Sequence, residues 1–367
     1  MQIRKYMKTL KSEDQQSTYE GAGKKRPTLL VRADATRQTG SGHLMRALAL
    51  AQSWQMRGGQ VVFAAHCDSD ALCARIDSVS MTRVPLTATY PDIADMTQTL
   101  ALIDRFQPAW TVIDGYHFTS CYQQTIQETG CRLLVIDDMA HRACYHADVI
   151  LNQNIYADQL IYASAGKTRL LLGSHYALLR PEFAAWLPWR RTVTQTAHNV
   201  LVTLGGVDSD NVTGKVVQAL NSWRGQGLSI KIVVGPGNPH RATLEEAVAQ
   251  SGRDMSLLVA PSDMPALMAW ADTAITAAGT TALELAYMQV PAIALVLADN
   301  QYRVAEALHD RGTLHNMGWH ETVSPQALTC RLRQLLNGAS MRQEMAHIGR
   351  QIVDGDGAKR VTEALWK

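Results

Sequence analysis

From residue 28 onward, short runs of uninterrupted apolar residues alternate with longer stretches in which apolar positions recur every three or four residues. The runs Thr28–Arg32, Gln60–Ala65, Trp110–Ile113 and Arg132–Ile136 predict buried strands. Asp148–Leu151 and Arg169–Leu172 are shorter runs of the same kind. Between them Leu44–Met56, Asp68–Asp77, Asp92–Phe106 and Thr119–Glu128 have helical spacing, with Ser41 expected to cap the first helix and Gly58-Gly59 to end it. The alternation breaks over Pro181–Ala197, where Trp186, Pro188, Trp189 and a Thr/Gln-rich run read as a connector.

A second series follows. Asn199–Leu204, Ser229–Val234, Ser256–Val259, Thr273–Thr276 and Ala292–Leu297 read as strands. Val212–Trp223, Thr243–Gln250, Met264–Trp270, Ala282–Met288 and a segment opening at Ala298-Asp299-Asn300-Gln301 read as helices, and residues 325–367 as a tail helical in three pieces. Strands that are apolar throughout, separated by helices, predict an α/β protein with parallel sheets covered on both faces. The pattern divides the chain into an extension (1–27) expected to be flexible, a first domain (28–185), a linker (186–197) and a second domain (198–367).

A length of 367 residues suits two domains. With 46% hydrophobic and 19% charged residues the composition is that of a globular protein, and a net charge of +2 gives no electrostatic case for nucleic acid or an anionic membrane. No apolar run reaches the roughly 18 residues of a spanning helix. No signal-peptide core is seen, so a cytoplasmic location is expected. The six cysteines form no Cys-x-x-Cys pair, and neither a Gly-x-Ser-x-Gly elbow nor a phosphate-loop lysine occurs.

In parallel sheets ligands sit beyond the carboxyl ends of the strands, which directs attention to the strand tips. Gly40-Ser41-Gly42-His43 joins the first strand to a helix. Glycines there let a ligand approach the backbone, and the positive end of the helix disfavours an imidazolium, so His43 is expected neutral and able to take a proton from water. The alternative is a structural histidine satisfied by backbone groups. Gly205-Gly206-Val207-Asp208 and Gly279-Thr280-Thr281 likewise stand before helices and suit a diphosphate. Glu284 can accept from ribose hydroxyls or close a capping box with Thr281. Ala298-Asp299-Asn300-Gln301 and Asp114-Gly115-Tyr116 are substrate contacts or caps. Asp137-Asp138 can hold Mg²⁺ or cap a strand end.

These motifs, with Arg32-Ala33-Asp34, Leu44-Met45-Arg46, Leu151-Asn152-Gln153-Asn154 and Tyr176-Ala177-Leu178-Leu179-Arg180-Pro181, resemble as an ordered set the UDP-2,4-diacetamido-2,4,6-trideoxy-β-L-altropyranose hydrolases of pseudaminic acid biosynthesis, the pathway of flagellin glycosylation. The resemblance runs from about Thr28 to the C-terminus. It implies a GT-B architecture of two Rossmann-like, doubly wound domains facing across a cleft. It also implies a metal-independent hydrolase taking a UDP-sugar as substrate and releasing UDP; a monomer without cofactor is expected. By this resemblance His43 is the catalytic residue. Asp34, Gly40, Gly42, Arg46, Tyr116, Gly205, Gly206, Val207, Asp208, Gly279, Thr280, Thr281, Glu284, Asn300 and Gln301 hold substrate, with Tyr116 and Asn300 at the sugar and Glu284 at the ribose. The rival readings are a UDP-sugar glycosyltransferase of the same fold and a non-catalytic nucleotide-sugar binding protein.

Overall fold

A computed structural model describes residues 26–36, 40–225 and 227–366. The expected extension therefore lies outside the described residues except for its last two positions.

In chain order the first unit runs β1 (Thr28–Ala33), α1 (Gly42–Met56), β2 (Gln60–Ala65), α2 (Asp70–Asp77), β3 (Thr82–Pro85), α3 (Ile93–Phe106), β4 (Trp110–Asp114), α4 (Ser120–Glu128), β5 (Leu133–Ile136), β6 (Val149–Asn152) and β7 (Arg169–Leu172). The second runs β8 (Asn199–Thr203), α5 (Val212–Asn221), β9 (Ser229–Val234), α6 (Arg241–Ala249), β10 (Met255–Val259), α7 (Met264–Trp270), β11 (Thr273–Ala277), α8 (Thr280–Tyr287), β12 (Ala292–Val296), α9 (Asp299–Asp310) and β13 (Leu314–Trp319). The tail forms α10 (Pro325–Asn337), α11 (Ala339–Ile352) and α12 (Gly357–Trp366).

Seven strands make one sheet in the order β3-β2-β1-β4-β5-β6-β7, and six make another in the order β10-β9-β8-β11-β12-β13. Neighbouring strands are parallel in both. The inner strands are apolar along most of their length because helices cover both faces. Leu29 and Val31 pack with Leu44, Leu48 and Trp54 of α1, while Leu30 between them packs with Leu102, Ile103 and Tyr122 of α3 and α4. In each sheet the order reverses at the first strand, between β1 and β4 and between β8 and β11. Such a reversal opens a crevice at the carboxyl ends.

Two strands, β3 and β13, escape the reading of the sequence. Both lie at the outer edge of a sheet, where one side needs no partner. β3 carries Arg83 and Pro85, and β13 carries Asn316 and Gly318 and slips register against β12. Edge strands tolerate such residues, so neither makes an apolar run.

The tail holds a second departure. Its last helix, read with the second domain, crosses back to the first sheet. Val361 and Leu365 join the core under α1, Trp110 Nε1 donates to the Leu365 carbonyl at 2.7 Å, Thr362 bonds Ser53 at 2.8 Å, and Trp54 and Trp366 meet at 4.6 Å between ring centroids. Gly357 makes the crossing possible, since a Cβ there would lie 2.3 Å from the Ala177 carbonyl oxygen. An amphipathic helix shows its apolar stripe in sequence but not the surface that covers it. Leu365→Ala is therefore expected to destabilise the first unit by about 2–5 kcal/mol in urea denaturation. A loss confined to the second unit would contradict this packing.

Candidate functional site

The turn from β1 into α1 is built on glycine. Gly40 has a φ of +69°, and a Cβ on Gly40 or Gly42 would meet nothing within 4 Å, so the backbone there faces open space. Ser41 occupies the cap position of α1, but its side chain makes no capping bond, contrary to expectation. Its hydroxyl instead lies 3.0 Å from where a Cβ of Gly206 would stand, so the glycine turns of the two units meet. Gly235, at the end of β9, supports this approach: a Cβ there would lie 2.1 Å from the Gly206 carbonyl oxygen.

His43, in the first turn of α1, is largely buried. Its Nδ1 lies 2.6 Å from Asp114 Oδ1 at the tip of β4. Arg46, one turn along the same helix face, donates from Nε and Nη2 to the two Asp114 oxygens, both at 2.7 Å. Its Nη1 reaches both oxygens of Asp138 at 2.8 Å. Burial pushes the Asp114 carboxyl up, but Arg46 and His43 outweigh burial and hold it at about 2. An ionised carboxylate only accepts, so the Nδ1 that faces Asp114 is a ring nitrogen that carries a proton. Burial alone would lower Arg46, yet the two carboxylates keep its guanidinium well above its ordinary value. The expectation that the helix end governs His43 thus gives way to a carboxylate in direct contact, which sets the ring's orientation and tautomer.

Tyr116 meets the His43 ring edge-on at 4.7 Å and donates its hydroxyl to Asp138 Oδ2 at 2.6 Å. Burial and Asp138 push this phenol above its ordinary value. From the second unit Asn300 Nδ2 donates to the Tyr116 hydroxyl at 3.0 Å.

A cavity of about 250 Å³ lies between the units. Gly40, Gly42, His43, Arg46 and Tyr116 line it from one side, and Gly205, Gly206, Gly279, Thr280, Thr281, Asn300 and Gln301 from the other. Gly279 is the cap residue of α8 and makes no side-chain cap, and the space above it is open. Gly279, Thr280 and Thr281 line the cavity at the start of that helix, where N–H groups lack an intrahelical partner, an arrangement suited to an anion. The Gln301 amide oxygen accepts from the Leu297 N–H at 3.0 Å.

Four expected site residues stand outside this cavity. Asp34 is buried with Arg32, which also pairs with Asp95, and accepts the His66 N–H at 2.8 Å. Val207 lines a neighbouring cavity of about 710 Å³, which shares Gly40, Ser41 and Gly206 with the first. Asp208 accepts the N–H groups of Val212 and Thr213 at 2.9 and 2.8 Å and so caps α5. Glu284 is buried and accepts from Arg180 Nε at 2.9 Å through Oε1. The capping box with Thr281 does not form, because α8 starts two residues earlier than expected, at Thr280, with Gly279 in the cap position. Arg46, expected to touch substrate, has its guanidinium edges taken by carboxylates.

The roles of Asp114 and Asp138 as partners of His43 and Arg46 were not legible. A His-x-x-Arg spacing on one helix face was the available signal, but its partners depend on strand order. Of the two readings open for Asp137-Asp138, Asp137 follows the capping one. It accepts the N–H groups of Met139 and Ala140 at 2.9 and 2.7 Å, while Asp138 pairs with Arg46. Among the described residues no group of three or more His, Cys, Asp or Glu is placed to hold a metal, and no helix is long and apolar enough to cross a membrane.

Residues 199–361 match the family model of the glycosyltransferase family 28 C-terminal domain. The chain is 27% identical over 241 residues to the spore coat polysaccharide biosynthesis protein SpsG of Bacillus subtilis, covering 65% of this chain and 70% of that protein. It is 24% identical over 287 residues to the UDP-2,4-diacetamido-2,4,6-trideoxy-beta-L-altropyranose hydrolase of Campylobacter jejuni, covering 77% of this chain and 97% of that one. The crystal structure of Acinetobacter baumannii MurG superposes with a TM-score of 0.65 at 18% identity, over 93% of this chain and 99% of that one. The two parallel sheets and these neighbours define a two-domain α/β protein of the GT-B fold. Together the findings support an enzyme of the GT-B nucleotide-sugar class.

Asp114 has a testable signature. Its carboxyl lies at about 2 in the fold against 3.8 when free, so its contribution to stability is fully present above 3.8 and is lost as pH falls toward 2. Asp114→Asn should lower the melting temperature at neutral pH, and its deficit against the wild type should shrink through that acid window. A deficit independent of pH would contradict the pairing.

Proposed function

We propose that the protein hydrolyses the anomeric C–O bond of a UDP-linked 2,4-diacetamido-2,4,6-trideoxyhexose, releasing UDP and the free sugar with inversion, in pseudaminic acid biosynthesis. The observation that carries this reading is the 2.6 Å His43–Asp114 pair, set on the cavity wall opposite the open start of α8. The similarity to the Campylobacter hydrolase supports the choice of substrate.

The chemistry follows from the residues. His43 Nε2 takes a proton from water as the oxygen bonds to the anomeric carbon. The bond from that carbon to the diphosphate oxygen breaks, and its electron pair leaves with UDP. Asp114 stabilises the imidazolium that forms, as a buried carboxylate does behind a catalytic histidine. UDP is already anionic, so its departure needs charge stabilisation rather than a second acid. The N–H groups at Gly205-Gly206 and at the start of α8 supply it. Tyr116, Asn300 and Gln301 face the sugar. Glu284 is fixed by Arg180 through one oxygen, and its other oxygen takes the ribose hydroxyls.

A glycosyl transfer reading draws on the neighbouring 710 Å³ cavity, which has room for an acceptor beside the same glycine turns. One assay separates the two. Purified protein with the UDP-sugar and no acceptor should release UDP, whereas a transferase should release it only when an acceptor is added. His43→Asn should lower turnover by about 10²–10⁴-fold while UDP affinity, measured by calorimetry, changes by no more than a few-fold. Near-normal turnover in that variant would overturn the role of His43. Glu284→Ala should do the reverse, weakening UDP binding, and unchanged affinity would remove Glu284 from the ribose site.

A further inference from the structure

Asp138 is a carboxylate on the cavity wall with nothing left to give a ligand. Oδ1 accepts from Arg46 Nη1 at 2.8 Å and from Asn154 Nδ2 at 2.7 Å. Oδ2 accepts from the same Arg46 nitrogen at 2.8 Å and from the Tyr116 hydroxyl at 2.6 Å. It is 5% exposed. Three donors making four hydrogen bonds around one buried carboxylate fix its position and its plane.

Its partners lead in two directions. Arg46 holds Asp114 through two bonds, and Asp114 holds His43. Tyr116 leads across the cleft, where Asn300 of α9 donates to its hydroxyl, and the Tyr116 ring also bears on the edge of the His43 ring. A continuous chain of hydrogen bonds therefore runs from Asn300 through Tyr116, Asp138, Arg46 and Asp114 to His43. Asn300 and Tyr116 form the one member of this chain that spans the two units.

We propose that Asp138 is a positioning residue that makes the alignment of His43 depend on contact between the second unit and Tyr116. The proposal rests on the reading of His43 as the base. When Asn300 engages Tyr116, the phenol is held from both sides, Asp138 is fixed, and the guanidinium presents Asp114 squarely to His43. When the units part, Tyr116 loses a donor, and both its ring and its hydroxyl gain freedom against His43 and Asp138. The base is then fully aligned only when the sugar-facing wall of α9 is in place. Misplacement of a reacting group by about 1 Å can cost roughly 10²-fold in rate.

The test uses the full chain and two readouts. The first is the downfield proton resonance of His43 Nδ1–H, read without substrate and assigned by its loss in His43→Asn. Asp138→Asn, Tyr116→Phe and Asn300→Ala should each shift or broaden it, Asn300→Ala doing so from the far side of the cleft. The second is steady-state kinetics with the UDP-sugar. Asp138→Asn should lower kcat by about 10²-fold with KM within a few-fold, because Asp138 offers substrate no bond, and Tyr116→Phe should lower kcat to a similar extent. If Asp138→Asn does not fold, Tyr116→Phe keeps the test, since it retains the ring and removes only the hydroxyl. An unmoved resonance in both Tyr116→Phe and Asn300→Ala overturns the proposal. So does a loss in Asp138→Asn that appears in KM alone. The spectrum needs no turnover, so failure of the hydrolase reading leaves it decisive: a shifted resonance with an active His43→Asn keeps the coupling and discards the base.

Discussion

A guanidinium removed from water needs acceptors for its N–H groups, and Arg46 finds them on two carboxylates. That requirement organises the first unit. Arg46 sits on the helix that follows β1, and its partners stand at the ends of β4 and β5, the next two strands beyond the reversal of the sheet. Satisfying one charge therefore pins α1 against two strand tips. His43, three residues earlier on the same face, is carried to the crevice with its Nδ1 against a carboxylate whose position Arg46 has already set.

The second unit supplies what the first lacks. Its strands repeat the same order of pairing, and its own reversal brings the Gly205-Gly206 turn and the start of α8 to the cleft. The units touch where function requires closeness: Ser41 against Gly206, Tyr116 against Asn300, Arg180 against Glu284. Away from the cleft, α12 returns to the first sheet, and Tyr156, Ala177, Leu179 and Phe183 pack into the core of the second. A histidine with its carboxylate on one wall and a helix start open to an anion on the other is the arrangement that the proposed reaction uses.

Much of this was legible in the sequence, and the boundary has physical causes. Strands buried on both faces are apolar along most of their length, so β1, β2, β4, β8, β9, β11 and β12 declare themselves, while the edge strands β3 and β13 do not. Gly40 to His43, Gly279 to Thr281 and Asn300 stood out because glycines and polar groups crowd the junction of a strand and a helix. The same reasoning picked Asp34 and Asp208, which lie at strand tips too, but local partners claim them: Arg32 for one and the N–H groups of α5 for the other. Spacing cannot tell a carboxylate that faces a ligand from one that faces its own helix. Asp114 and Asp138 were visible as strand-end acids, yet their union with Arg46 follows from the adjacency of β1, β4 and β5, and the Arg180 partner of Glu284 lies more than a hundred residues away.

The central claim is that water, activated by His43, attacks the sugar carbon rather than the diphosphate. Turnover in ¹⁸O-labelled water without an acceptor tests it most directly, with both products weighed by mass spectrometry. The account predicts the label on the anomeric oxygen of the sugar, unlabelled UDP, and a first-formed anomer inverted from that of the substrate. Label in UDP, or a retained anomer, would contradict it.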